Sequence, residues 1–278
     1  MKVAYQGEAG AFSETAARRL LGPEMTGVPC HSFDEMFAAV GAGEADCCIA
    51  PIENSLAGSI HRNYDLLLDS DLTISGETSM RIVHNLIAPP DVALDHVRRV
   101  YSHPVAIAQC TRFFAKNPHI EAMPVHDTAG GVRLIMERGR KDEAGIASAA
   151  AAEIYGGRVL LENIEDNAQN FTRFFLHTPP ERAQDVVPRE TTRRWKTSII
   201  FRVANKPGAL FRALGAFAIF EIDLSKIESR PIEGRPWEYA FYLDFIGKLD
   251  DANVARALDN LRELAEMVRV FGSYPTRW

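Results

Sequence analysis

The sequence predicts an α/β protein of two domains, and three observations predict it. Over residues 1–178, short apolar strands alternate with helical patterns, the signature of a largely parallel sheet covered by helices. Over 179–194 the chain turns Pro-rich and charged with no apolar period, which reads as a linker. Over 195–278 the order is strand, helix, strand, strand, helix, strand, a split βαββαβ unit of ferredoxin-like form. The 278 residues suffice for both, at roughly 100 to 200 residues per domain.

In the first domain, strands are expected over 3–5, 47–50, 100–102 and 145–147. Ser32 and Glu35 form an S-x-x-E capping box ahead of Met36, Phe37 and Val40, so a helix should start there and run to about Gly41. Asp127, Thr128, Ala129, Gly130 and Gly131 open a further helix over 132–138. The long strand-like segment 72–88, centred on Gly76, is where the chain should cross between two lobes, leaving a ligand cleft between them. In the second domain the strands fall over 197–203, 224–229, 238–246 and 268–274, and the helices over 208–220 and 251–266.

Composition removes several classes of function. Apolar residues at 46% and charged residues at 24% describe a globular chain with a full core and exclude global disorder. The 31 Lys and Arg against 37 Asp and Glu leave a net charge of -6, so no cation excess exists for nucleic acid or an anionic membrane. The longest apolar run, 213–220, is far short of the roughly 20 residues of a membrane helix. The first seven residues read as a strand and lack the apolar stretch of a secretory signal, which predicts a cytosolic protein. Cys30, Cys47, Cys48 and Cys110 have neither zinc nor disulfide-framework spacing. His61, His84, His103 and His126 form no H-x-x-x-H pattern, and neither G-x-G-x-x-G nor G-K-[ST] occurs; metal, dinucleotide and P-loop sites are not expected.

Chemistry is expected where strands give way to helices, because unpaired N–H groups gather there. Gly10 to Ser13, Asn54 and Ser55, Ser102 to Pro104, Asp127 to Ala129, and Ala147 with Ser148 all place hydroxyls, amides or carboxylates at such junctions. Singly each is an ordinary N-cap; together they could line a cleft for a small, carboxylate-rich ligand. The segment 163–176 sets Asn170, Thr172 and Arg173 among phenylalanines. An Arg can grip a carboxylate bidentately and a neighbouring hydroxyl can hydrogen-bond a leaving oxygen. The competing reading is an amphipathic strand with phenylalanines inward. Glu53, Glu165 and Asp166 default to solvated surface.

These residues resemble a known family, the prephenate dehydratases with a C-terminal ACT domain. Thr172, Arg173 and Phe174 are similar to its T-R-F signature, and Pro51 to Ser55 with Gly58 to its P-I-E-N-S-x-x-G motif. Gly10 to Glu14, Ser102 to Pro104 with Gln109 and Cys110, and Asp127 to Ala129 match further family segments in order. Asn205 to Leu210 resembles the ACT domain's G-A-L loop, and Glu228 to Pro231 its E-S-R-P motif. Val105 and Glu165 stand where many or some relatives carry Gln, so neither is given a catalytic role.

The resemblance implies a two-lobed, periplasmic-binding-protein-like catalytic domain over 1–178, a linker over 179–194 and an ACT domain over 195–278. It implies decarboxylating dehydration of prephenate to phenylpyruvate without cofactor or metal, restrained by L-phenylalanine. Thr172 is carried over from the family motif to the leaving hydroxyl. On the chemistry of the residues themselves, Arg173 is the candidate for carboxylate charge balance, and Asn54, Ser55, Ser102, Thr128, Ser148 and Asn170 are candidates for positioning through hydrogen bonds. Asn205, Pro207, Gly208, Ala209, Leu210, Glu228, Ser229 and Arg230 are implied to bind phenylalanine between the ACT domains of a homodimer or homotetramer. Two other readings stay open: an arogenate dehydratase, and a non-catalytic amino-acid sensor.

Overall fold

In a computed structural model, residues 1–186, 194–232 and 234–276 are described. The chain divides into two compact units, Met1–Ser70 with Thr78–Pro179, and Asp71–Glu77 with Pro180–Trp278. The segment Asp71–Glu77 thus clusters with the second unit, although in sequence it lies inside the first. The expected linker opens as a 3-10 turn over Pro180–Arg182, and its residues 187–193 lie outside the described residues.

The first unit runs β1 (Lys2–Gln6), α1 (Phe12–Leu21), β2 (Thr26–Cys30), α2 (Phe33–Gly41), β3 (Cys47–Asn54), β4 (Gly58–Ser59) and α3 (His61–Asp69), then takes the end of β5 (Thr73–Arg81), whose residues through Glu77 cluster with the second unit. It continues with β6 (Asn85–Ala88), β7 (Arg99–Ser102), α4 (Pro104–Ala108), α5 (Thr111–Lys116), β8 (Glu121–Pro124), α6 (Thr128–Arg138), β9 (Glu143–Ala147), α7 (Ala149–Tyr155), β10 (Arg158–Leu161) and β11 (Phe171–Thr178). One sheet has the order β2-β1-β3-β11-β5 with β4 on β3, and the other the order β10-β6-β9-β7-β8. Two sheets make two lobes. The chain crosses from one sheet to the other between β5 and β6, inside the segment read as the crossing, and returns between β10 and β11.

Local chemistry explains these elements. Val3, Ala4 and Tyr5 are all buried because β1 is covered on both faces, which is why its sequence is a continuous apolar run. Ser32 caps α2 by accepting from the Glu35 N–H at 3.1 Å, while the Glu35 carboxylate reaches back to the His31 N–H at 2.7 Å. Asp127 and Ser148 cap α6 and α7 in the same way, and Gly139 and Gly156 end them in left-handed conformation. The expected strand over 72–88 is two strands, because β5 pairs with β11 in one sheet and β6 with β10 and β9 in the other.

The second unit adds β12 (Arg194–Arg202), α8 (Ala209–Ala218), β13 (Leu224–Ile232), β14 (Arg235–Ile246), α9 (Ala252–Leu264) and β15 (Met267–Thr276). Its antiparallel sheet has the order β13-β14-β12-β15, the ferredoxin-like arrangement expected from the pattern. Ile199, Phe201, Leu243 and Phe245 form the core with Phe217 of α8 and Leu258 and Leu261 of α9. The other face of β12 is polar and also buried: Lys196 pairs with Glu77 at 2.8 Å, and Ser198 donates to Asp244 at 2.5 Å. A buried charge needs such a partner, and Asp71–Glu77 supplies it.

Candidate active site

The candidate site lies in a cavity of about 650 Å³ in the first unit. That is the size range of a small-molecule site, roughly 300 to 1,000 Å³. The N-terminal ends of α1, α2, α4 and α6 contribute Phe12 and Ser13, Phe33, Val105 and Ala106, and Thr128 to its wall. Helix N-termini present unpaired N–H groups and the positive end of the dipole, which favours an anion.

At its centre is a chain of amides whose orientation follows from the backbone. The Leu56 and Ala57 N–H groups donate to the Asn54 side-chain oxygen at 3.0 and 2.9 Å. Backbone N–H groups can only donate, so the other end of that amide must be its NH2. It donates to Asn170 Oδ1 at 2.8 Å and to Thr172 Oγ1 at 2.9 Å. Asn170 then donates its own NH2 to Gln109 Oε1 at 2.8 Å. Since the Thr172 oxygen accepts from Asn54, its proton is free to point into the cavity that Thr172 lines.

The strand geometry of β11 decides which side chains reach this place. Successive strand residues face opposite sides. Thr172 and Phe174 line the cavity, whereas the Arg173 guanidinium lies over the Phe175 ring, 4.6 Å from its centre. The register against β3 shifts between Arg173 and Phe174, from Glu53 to Pro51, and the extra residue lets both Asn54 and Pro51 face the cavity. The charge-balancing place expected for Arg173 is therefore not where its side chain sits. Among the described lining residues there is no Lys or Arg. The lining instead offers His31, His84, His103 and His126, and burial holds the pKa of His84 and His103 below the ordinary imidazole value.

Of the other expected positioning residues, Thr128 lines the cavity and Asn170 belongs to the amide chain beneath it. Three do structural work away from the wall. Ser55 clamps the loop before β11, donating to the Gln169 carbonyl and accepting from the Phe171 N–H, each at 2.9 Å. Ser102 is fully buried and donates to the Ile146 carbonyl at 2.6 Å, between neighbouring strands. Ser148 caps α7 and donates to the Gly10 carbonyl at 2.7 Å. Gly10 itself has φ +85°, and a Cβ there would lie 2.8 Å from Ala151 Cα. Gly10→Ala should therefore lower stability by about 2 kcal/mol, read as a fall in the urea midpoint. An unchanged midpoint would show that the two lobes part readily there.

Gln109 and His84 were not among the expected site residues, yet both line the cavity. In the second unit, Asn205 donates to the Trp237 carbonyl at 3.2 Å, and Gly208 takes φ +76° to start α8. Glu228, Ser229 and Arg230 lie in sequence along β13, an edge strand, opposite Tyr242, Phe241 and Ala240.

Fold and site thus define an enzyme-like α/β cleft lined by helix N-termini, amides, hydroxyls and imidazoles, followed by a small βαββαβ module. Residues 3–181 match the family model described as prephenate dehydratase, and residues 197–263 match that of the ACT domain. The chain is 42% identical over 284 residues to arogenate dehydratase/prephenate dehydratase 2 of Arabidopsis thaliana, covering 99% of this chain and 73% of that protein. Among solved structures, the prephenate dehydratase of Arthrobacter aurescens in complex with L-Phe has a TM-score of 0.88 at 33% identity, covering 99% of this chain and 90% of that one. A protein named GqqA, described as a novel type of quorum quenching acylase, also has a TM-score of 0.88, at 35% identity, covering 99% of this chain and 98% of that one. The chain belongs to the prephenate dehydratase family, carbon–oxygen lyases, and carries an ACT domain.

Proposed function

We propose that the chain converts prephenate to phenylpyruvate in the cleft of its first unit, and that L-phenylalanine restrains it through the ACT domain. In the balanced reaction the prephenate dianion takes up one proton and yields phenylpyruvate, water and carbon dioxide. The ring carboxylate leaves as carbon dioxide, its bonding electrons enter the ring, and the ring carbon–oxygen bond breaks as the hydroxyl departs with the proton. Aromatisation drives the step, so the protein needs chiefly to hold both carboxylates and to meet the charge growing on the departing oxygen.

The observation that carries this reading is the Thr172 hydroxyl, whose oxygen accepts from Asn54 and whose proton is thereby left for the cavity. The NH2 of Gln109, the helix N-termini and Thr128 supply neutral donors for the carboxylates. Thr172 is held by an amide and not by a base, which suits donation to a leaving group rather than attack on an acyl carbon. Acylase turnover of the kind named for GqqA is therefore not expected of this chain. Phenylalanine would bind through 205–210 and 228–230 between ACT domains of a homodimer or homotetramer in the cytosol. It would inhibit by binding one state of the catalytic unit better than the other.

Incubation with prephenate, with assay of phenylpyruvate and with arogenate as a parallel substrate, tests this reading. Turnover of prephenate that added L-phenylalanine suppresses is the expected result. Turnover of arogenate alone would move the substrate to the amino acid, which the names of the plant relatives favour. Turnover of neither would leave a sensor.

A further inference from the structure

The His84 ring is held more tightly than a cavity-lining histidine requires. It is 2% exposed, and its backbone is pinned on both sides: the N–H donates to Glu165 at 3.0 Å and the carbonyl accepts from Ile164 at 2.9 Å. The ring meets Phe12 edge-on at 5.7 Å and brings Nε2 to 2.9 Å from Gln109 Oε1.

The amide chain fixes what that contact must be. Backbone donors set Asn54, Asn54 sets Asn170, and Asn170 donates to Gln109 Oε1, so this oxygen is an acceptor. His84 Nε2 must therefore carry the proton, and Nδ1, which has no partner among the described residues, must carry the lone pair. With two donors on its oxygen, the Gln109 side chain has, among the described residues, only a long contact of 3.5 Å, to Asn54 Oδ1, for its NH2. Its NH2 is thereby left for the cavity. A flipped amide would turn a carbonyl oxygen toward a carboxylate ligand.

We propose that His84, as a neutral Nε2–H imidazole, is a positioning residue that locks the Gln109 amide with its NH2 toward the substrate carboxylate. The proposal deepens the prephenate reading and rests on it for its kinetic arm only. Burial lowers the His84 pKa and so keeps the ring neutral near pH 7, which agrees with the geometry.

Taking the carboxylate as the pyruvyl one, which keeps its charge through the reaction while the ring carboxylate leaves, the loss should appear in KM. His84→Phe should raise KM for prephenate at least about 10-fold with kcat within about 3-fold, one hydrogen bond to a charged group being worth that much. His84→Gln, whose terminal NH2 can donate to the same oxygen, should restore KM to within about 3-fold of wild type. In a Gln109→Ala background, His84→Phe should add less than about 3-fold, because paired residues are not additive. An equal KM effect in both backgrounds, or no rescue by Gln, overturns the proposal. Nitrogen-15 NMR of the His84 ring reads the tautomer without substrate. A protonated Nε2 with a bare Nδ1 at pH 7 supports the lock, and the opposite tautomer or an imidazolium overturns it. A chain inactive on prephenate that shows the Nε2–H form would sink the functional reading and keep the lock.

Discussion

Thr172→Ala should lower kcat for prephenate by about 10²- to 10³-fold, the usual cost of removing one donor from the oxygen that gains charge in a transition state. The loss should fall on kcat rather than KM. The ring hydroxyl is neutral in bound prephenate and becomes a hydroxide-like leaving group only as the bond breaks, so the contact strengthens only on the way to the transition state. The fold should survive, because Asn54 Nδ2 keeps two other acceptors, Asn170 Oδ1 at 2.8 Å and the Phe171 carbonyl at 3.2 Å. The variant thus leaves no orphaned donor. Thr172→Ser, which keeps the hydroxyl, should recover most of the activity. Steady-state kinetics beside a thermal melt would settle it: turnover within about 3-fold of wild type by a folded Ala variant would remove Thr172 from the chemistry.

The same strand shows what a sequence does and does not carry. Strands such as β1, β3 and β9 were legible because burial on both faces writes itself as unbroken apolar runs, and α2 because its cap is a pair of residues three apart. The βαββαβ order of the second unit followed from the same periodicity. Of the candidate site, Asn54 and Thr128 were legible because they sit where a strand ends and a helix begins, and Thr172 through the T-R-F segment at the start of β11. Arg173 was misplaced although strand period alone forbids Thr172 and Arg173 from facing one cavity. Ser102 and Ser148 were indistinguishable in sequence from wall residues, since only the fold reveals that their hydroxyls bond the Ile146 and Gly10 carbonyls. His84 and Gln109, 25 residues apart, meet only because the chain crosses between the sheets beside them. The capture of Asp71–Glu77 by the second unit is equally silent in sequence, since it shows only in long-range contacts such as Thr73 Oγ1 to the Phe271 carbonyl at 2.5 Å and Glu77 with Lys196 at 2.8 Å.

A second large effect should appear in acid, at the far end of β11. The His177 ring is fully buried between Phe37 and Phe175, at 5.1 and 6.0 Å, and neither ring nitrogen has a partner among the described residues. Burial alone pushes its pKa from the ordinary 6.5 down to about 3. The folded state therefore refuses a proton that the unfolded chain accepts. Its contribution is complete above pH 6.5 and is lost as the pH falls from there toward 3. Between pH 7 and pH 5 this one residue should remove about 2 kcal/mol of stability. His84 and His103, whose pKa values are also lowered by burial, act in the same direction, so the wild-type slope alone does not isolate His177. His177→Phe does isolate it: the new ring fits an aromatic setting, removes the unpartnered nitrogens and cannot titrate. Urea unfolding of both proteins at pH 7 and pH 5 should show the variant losing about 2 kcal/mol less than the wild type over that interval. Equal losses would mean that the ring reaches a proton-accepting partner or solvent in the folded state, and the buried neutral imidazole would then have to be given up.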